Sequence, residues 1–294
     1  MAAGNLPKLV IFRDPNKENV GQAINNFTGF ARDKADITAS YEIGASRADI
    51  LQDVDFAVVF GGDGTIIWAA RQLSESHVPV IGVNLGKLGY LAEFSLVELK
   101  EFFERIVSGQ MFIEKRIMLN CSVGGDGSKA GSRHKKFSST AINDVFITAG
   151  PPFRTIELQI SVDGQPLAGC VGDGLVICTP TGSTAYNLSA GGPIVMGKTE
   201  AIVITPICPH SLSFRPIVIN ADSLIEVVGL RVNEGTTVSI DGQVSCKFSE
   251  NDVVSVKQHK GDFLVVHNPL RTEWEALGSK LSWAEKPKYK KGTD

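Results

Sequence analysis

The sequence is sparing with cysteine, holding five in 294 residues. They stand singly at positions 121, 170, 178, 208 and 246, odd in number and never in a Cys-x-x-Cys pair. That pattern argues against a disulfide framework and against a structural zinc site. Four of the five lie in apolar or strand-like surroundings, where a free thiol behaves as a small hydrophobe. No apolar run approaches a membrane-spanning length, and Met1-Ala2-Ala3-Gly4-Asn5 lacks a basic and apolar signal pattern. A cytoplasmic protein with no membrane partner is expected. Excess charge of one sign is lacking as well: the net value is -3, which gives no whole-molecule attraction for nucleic acid. A polyanionic ligand must therefore be held by a local site. The basic tail from Lys286 to Lys291 reads as a solvated terminus. Two motifs are missing as well. Without Gly-x-Gly-x-x-Gly or Gly-x-x-x-x-Gly-Lys-Ser/Thr, the usual dinucleotide fingerprint and the Walker loop are excluded.

What is present is ordinary globular material, 43% hydrophobic and 21% charged, long enough for one large or two ordinary domains. The first third alternates strand and helix. Leu9–Phe12 is a buried-strand run, and Val20, Ile24, Phe27 and Ala31 follow at helical spacing, with Asn16 as a candidate cap. Ile37–Ile43 is a second strand. Phe56–Phe60 is a continuous apolar run of the kind that lies centrally in a parallel sheet. Ile66–Leu73 is helical, Val78–Val83 a strand, and Leu96–Val107 an amphipathic helix. This rhythm predicts an open, mostly parallel sheet. Beyond about residue 115 it changes. Short runs such as Thr155–Val162, Leu175–Cys178, Ala201–Thr205, Thr237–Ile240, Val253–Val256 and Phe263–Val266 are separated by turns, among them Asp163-Gly164, Asp241-Gly242 and Gly261-Asp262. An all-β sandwich domain is expected there. Trp274, Leu277 and Leu281 return to helical spacing. The expected division is an α/β domain over 1–115, a β-sandwich domain over 116–267, and a segment over 268–294 whose helix packs back on the first.

Gly-Gly-Asp-Gly occurs twice, at 61–64 and 124–127. The first copy follows a buried strand and opens a helix, where ligands bind in open α/β sheets and where free N–H groups face phosphate. The second interrupts a polar, basic run. Asp63 is therefore the functional candidate and Asp126 is not. Aspartate is also a preferred helix N-cap, so capping is the competing reading of Asp63.

Residues 172–193 form a second constellation. A short apolar strand runs into a turn rich in hydroxyls and glycine: Thr181, Gly182, Ser183, Thr184, Tyr186 and Ser189, beside Asp173. So many small polar groups in one loop point to ligand binding, with Tyr186 suited to a ribose or a base. Of the histidines, His77, His134, His259 and His267 read as surface or turn residues, and His210 as packing or site support. Lys87 lies in a glycine-flanked turn within reach of a phosphate, although a lone lysine is more often solvated.

Taken in order, Gly61–Thr65, Asn84–Leu91, Asn143-Asp144, Asp173–Gly192, Pro206–Pro216 and Asp241-Gly242-Gln243 resemble the successive signatures of the NAD kinase family. The likeness covers roughly residues 55–285. It implies an α/β domain plus a β-sandwich, assembled as a homodimer or homotetramer. It implies transfer of the γ-phosphoryl group of ATP, with a divalent cation such as magnesium, to the 2′-hydroxyl of the adenosine ribose of NAD. Asp63 is then the catalytic base and Gly64 adjoins the phosphates. Asn143, Asp144, Asp173, Thr181, Thr184, Ala185, Tyr186, Asn187, Leu188 and Ser189 line the NAD site, with Cys208 and Gln243 at further contact positions. Val171 and Trp68 stand where some relatives carry arginine. Two other readings compete. A lipid kinase of the diacylglycerol or sphingosine type shares the first motif, and a non-catalytic NAD or NADP sensor would use the same scaffold without needing Asp63.

Overall fold

The computed structural model describes residues 6–44, 53–86, 89–125 and 135–281. Asp126, His134, Lys87 and the basic tail, all singled out above, lie outside the described residues. The chain divides into two compact units, one formed by Met1–Ile66, Pro79–Ile113 and Val265–Asp294, the other by Ile67–Val78 and Glu114–Leu264.

In the first unit the apolar runs become β1 (Lys8–Arg13), β2 (Asp36–Glu42), β3 (Phe56–Phe60) and β4 (Val80–Val83), with β5 (Ile113–Arg116) following. β1 pairs in parallel with both β2 and β3, and β3 with β4. Between them run α1 (Val20–Ala31), α2 (Asp63–Gln72) and α3 (Leu96–Val107). α3 starts with a capping box in which Ser95 accepts from the Glu98 N–H and Glu98 accepts from the Ser95 N–H. α1 begins later than Asn16. The Asn16 N–H donates to the Asp14 carboxylate at 3.0 Å, closing a turn ahead of the helix, and left-handed Asn19 (φ 63°) takes the cap position. Leu9, Ile11, Phe27, Phe60, Ile81 and Phe103 are buried together in one core.

The second unit is built from two antiparallel sheets. One joins β6 (Leu119–Gly124), β7 (Lys135–Ala141), β9 (Ile156–Val162), β10 (Gln165–Gly172), β14 (Ile225–Arg231) and β17 (Val253–Gln258), in the order β10-β9-β14-β17-β6-β7. The other joins β8 (Asp144–Thr148), β11 (Gly174–Cys178), β12 (Ala201–Ile207), β13 (Ile217–Asn220), β15 (Thr237–Ile240) and β16 (Val244–Lys247), in the order β13-β12-β11-β8-β15-β16. Leu119, Leu158, Val227 and Val254 of the first sheet share one core with Val145, Leu175, Ile202 and Val238 of the second. Alternate residues of β6 and β9 point into it, as two facing sheets require. β11 and most of β12 are instead buried on both faces. Val176, Cys178 and Val203 on the outer face are covered by Phe146, Ala190 and Val195. That cover includes part of the hydroxyl-rich loop.

The strand expected over Phe263–Val266, β18, pairs in parallel with β4, Val265 opposite Val80. The first sheet thus reads β2-β1-β3-β4-β18-β5, so this run belongs to the parallel sheet and not to the all-β region where its position in the chain placed it. After it, the Asn268 N–H donates to the Glu93 carboxylate at 2.8 Å and Arg271 to Glu98 at 2.6 Å, ahead of α5 (Glu273–Leu281). Two of the histidines read as surface or turn residues have defined partners beside β18. His259 is buried, with Nδ1 accepting the Gly261 N–H at 2.9 Å, and His267 Nδ1 lies 2.9 Å from the Glu93 carboxylate. The structure contains no helix long and apolar enough to cross a membrane among the described residues.

Candidate active site

In the first unit the strand order reverses between β1 and β3, since β2 lies on one side of β1 and β3 with β4 on the other. Open α/β sheets bind ligands beyond the carboxyl ends of the strands at such a point. Gly61 to Gly64 stand there, directly after β3. Asp63 is the first residue of α2, and its carboxylate reaches across to another loop. Oδ2 accepts the Tyr90 N–H at 2.9 Å, and Oδ1 accepts those of Leu91 and Ala92 at 3.0 and 3.2 Å. Gly89 makes this possible, because a Cβ there would lie 2.0 Å from Asp63 Oδ1. An ionised carboxylate offers about four acceptor sites, so three N–H donors fix its orientation and leave one on Oδ2. The Tyr90 hydroxyl is buried without a hydrogen bond, and burial followed by the charge of Asp63 raises its pKa.

The second unit gathers the other candidates. The backbone from Ile142 to Asp144 is held along both edges. Its N–H groups at 142, 143 and 144 all donate to the Asp241 carboxylate at 2.8 to 3.2 Å. On the carbonyl side, Thr179 Oγ1 donates to Ile142 O at 2.7 Å, the Thr179 N–H to Asn143 O at 2.8 Å, and the Asp241 N–H to Asp144 O at 2.9 Å. Gly182 presses directly on this turn: a Cβ there would be 2.1 Å from Asn143 O. The loop continues as a 3-10 turn (Thr181–Thr184) and one helical turn, α4 (Tyr186–Ser189). Thr181 Oγ1 is buried with no hydrogen-bond partner. The Tyr186 ring meets Phe146 edge-on at 4.9 Å between centroids. Its hydroxyl lies within electrostatic reach of Cys208, Asp144 and Asp173, which after burial raise its pKa. Cys208 and Asp173 are exposed, Cys208 in a left-handed conformation (φ 44°).

One predicted contact residue is spent on the loop itself. Asn187 is fully buried, and its amide nitrogen donates to Ser183 O and Pro193 O, both at 3.0 Å. Its oxygen accepts from Thr205 Oγ1 at 2.6 Å. Ala185 and Leu188 are half-buried in the same turn, and Ser189 is exposed.

Two residues that the sequence reading left without a role organise this unit. Arg71 is buried, and one guanidinium nitrogen serves both Gln243 Oε1 at 2.6 Å and Asp241 Oδ2 at 3.4 Å. Burial lowers the Arg71 pKa and Asp241 opposes that. Burial likewise pushes the Asp241 carboxyl up, while Arg71 and the three N–H donors pull it back towards the charged form. The sequence signal was there but double: Asp241-Gly242 is a genuine hairpin turn, with φ of 52° and 64°, so its carboxylate drew no separate attention. Asp144 is 3% exposed, and among the described residues its carboxyl accepts no hydrogen bond. Burial first and Asp241 second push its pKa up to about 7.

That value has a measurable consequence. An unfolded aspartate ionises near pH 4, whereas the folded Asp144 keeps its proton to about pH 7. Its protonated form therefore supports the fold below pH ~4, and this support is lost as pH rises to about 7, by about 4 kcal/mol at most. Asp144→Asn should remove that share of the slope. Urea unfolding at pH 5 and pH 8, run on both proteins, measures it, and identical slopes would mean that the carboxyl is ionised in the fold.

Comparison with known proteins identifies this arrangement. The model of the ATP-NAD kinase N-terminal domain matches residues 10–111, and that of the ATP-NAD kinase C-terminal domain matches residues 142–268. An NAD kinase of Geotalea daltonii is 40% identical over 85% of this chain and 85% of its own length. One from Rhodopirellula baltica is 34% identical over 96% and 88%. Among solved structures, yeast NADH kinase complexed with NADH superposes with a TM-score of 0.86 at 26% identity, covering 98% of this chain and 91% of that one. An NAD kinase from Archaeoglobus fulgidus in complex with ATP shares the fold, with a TM-score of 0.71 at 22% identity, covering 89% and 94%. Neither the lipid-kinase nor the sensor reading gains support from these matches. The chain belongs to the NAD kinase family.

Proposed function

We infer that the chain is a kinase that transfers the γ-phosphoryl group of ATP to the 2′-hydroxyl of the adenosine ribose of NAD, giving NADP. The observation that carries this reading is the set of polar groups left uncommitted in the second unit. The Asn143 amide, the Asp144 carboxyl and Thr181 Oγ1 make no hydrogen bond among the described residues, although the backbone beneath the first two is fully paired. Asp144 and Thr181 Oγ1 are buried and Asn143 is half-buried, and buried polar groups without a partner in the chain are open to a bound molecule. With Tyr186, Asp173, Thr184, Ser189, Cys208 and Gln243 they form the NAD subsite of this proposal, while Asn187 shapes the loop.

Asp63 is the base. A ribose hydroxyl is a weak nucleophile, and a carboxylate within hydrogen-bond reach orients it and accepts its proton. The acceptor site left on Oδ2 serves that purpose, and Gly64 adjoins the phosphates at the start of α2. A divalent cation would arrive on ATP, since magnesium keeps several waters and takes few protein ligands. Such a cation supplies charge neutralisation across the phosphates. We further propose a homodimer or homotetramer, an α/β domain over 1–115 that also takes in β18, a β-sandwich over the rest of 116–267, and an α5 segment that packs on the α/β unit, with Leu277 buried in support. Purified protein with ATP, magnesium and NAD is expected to form NADP, read with an NADP-specific dehydrogenase. No NADP with any phosphoryl donor overturns the reading, and phosphorylation of a lipid would put the lipid-kinase alternative in its place.

A further inference from the structure

The turn that carries Asn143 and Asp144 has its N–H edge held by one side chain and not by strand pairing. Ile142 to Asp144 precede and open β8. That side chain, Asp241, has no exposed surface. A buried carboxylate needs a counter-charge or donors to stay in place. It has both: three N–H groups on one side and Arg71 on the other. The same Arg71 nitrogen also holds Gln243, two residues beyond Asp241 in the hairpin. Arg71 is thus joined to two points of one turn, and that turn is joined to another.

We propose that Arg71 and Asp241 are positioning residues of the NAD subsite: together they hold the Ile142–Asp144 backbone so that Asn143 and Asp144 meet the nucleotide. The proposal rests on the reading of Asn143 and Asp144 as nucleotide contacts. Neither Arg71 nor Asp241 touches the reacting atoms in this account. Their effect is on where two other side chains stand before NAD arrives. Geometry explains why such indirect residues matter, since a displacement of about 1 Å at a binding or reacting group costs on the order of 10²-fold.

The groups packed around this cluster favour that role. Asp144 carries a carboxyl that senses the Asp241 charge, and Cys178 and Tyr186 sense the Asp144 charge in turn. Loss of the Arg71 charge leaves Asp241 uncompensated, which favours protonation of its carboxyl. A protonated Asp241 accepts the three N–H groups less strongly, so the turn loosens where the nucleotide docks.

Three variants and one wild-type measurement test this. Arg71→Met removes the charge, Arg71→Lys keeps it, and the double variant Arg71→Met with Asp241→Asn removes both charges and leaves neither orphaned. NAD affinity is measured by calorimetry without a phosphoryl donor, ATP affinity likewise, and unfolding midpoints for each. Arg71→Met and the double variant should bind NAD about tenfold or more weakly, with ATP affinity changed less than about twofold and with Arg71→Lys recovering much of the loss. Weak NAD binding in the double variant with a wild-type midpoint marks positioning, because a merely structural role would recover with stability. Wild-type NAD affinity in that folded variant overturns the proposal. If no variant folds, amide exchange in the wild type decides. Slow exchange at Ile142, Asn143 and Asp144 before NAD is added supports the clamp, and free exchange until NAD is added overturns it. A wild-type protein that makes no NADP defeats the functional reading alone, and the exchange measurement still judges the clamp.

Discussion

Asp63→Asn is expected to lower turnover by about 10²–10⁴-fold, the usual worth of general-base assistance. The structure sharpens what else the substitution does. The carboxylate already accepts three N–H groups from Tyr90, Leu91 and Ala92, and an asparagine can present a carbonyl oxygen to only one side of that set. Its NH2 group then faces a donor. Keeping the two bonds at Oδ1 leaves the Tyr90 N–H unpaired, at a cost of about 1–3 kcal/mol. The variant should therefore be both slow and less stable, its melting temperature down by about 2–6 °C for a chain of this size. NAD affinity, which the proposed subsite assigns to side chains of the other unit, should stay within a few-fold. Steady-state kinetics with NADP detection, beside a thermal melt, gives all three readings. Near-normal turnover would remove Asp63 as the base.

Gly182→Ala should be the most damaging change in the second unit. The new Cβ would stand 2.1 Å from Asn143 O, 2.5 Å from its carbonyl carbon and 2.7 Å from its Cα. All three are backbone atoms, so no side chain can swing aside. Nor can the turn retreat easily, because Thr179 and Asp241 hold its two edges. Overpacking of a rigid site costs about 1–3 kcal/mol and at times more. If the turn yields instead, kcat/KM for NAD should fall by roughly 10²-fold. Gly21→Ala is the comparison, since a Cβ at that helical position meets nothing within 4 Å and alanine is the better helix former. Denaturant unfolding and kinetics together separate the two outcomes. Equal behaviour of the two variants would mean that the loop does not press on the turn as described.

The parallel strands were legible because they are buried on both faces, which writes itself as unbroken apolar runs such as Phe56–Phe60. β7 was not legible. Lys135–Ala141 reads Lys-Lys-Phe-Ser-Ser-Thr-Ala and lies at a sheet edge with all but Ala141 exposed or half-buried, so neither hydrophobicity nor alternation marks it. β18 was found as a strand but placed with the wrong neighbours, because local pattern does not carry pairing partners. The site shows the same divide. The Gly61–Gly64 turn and the hydroxyl-rich loop announce themselves through glycine and small polar residues in close succession. The Asp241 clamp joins residues 97 to 99 positions apart, and the Arg71–Gln243 bond spans 172. Asp63 had two readings in the sequence, base or cap of its own helix. Its carboxylate is bonded to a neighbouring loop, an option that no local pattern contained.

The place of β18 between β4 and β5 has a consequence for how the chain is made. Val80 emerges from the ribosome well before its partner Val265. At about 5–20 residues per second, the open edge of β4 waits roughly 10–40 s for the strand that covers it. During that interval the nascent α/β unit carries an unpaired, fully buried-type strand edge, the surface most prone to capture by another chain. Ribosome pausing after β4, or a nonsense codon anywhere before Phe263, would prolong that exposure. The distance along the chain makes synthesis of β18, and not the folding of the first hundred residues, the step that closes the sheet holding β4.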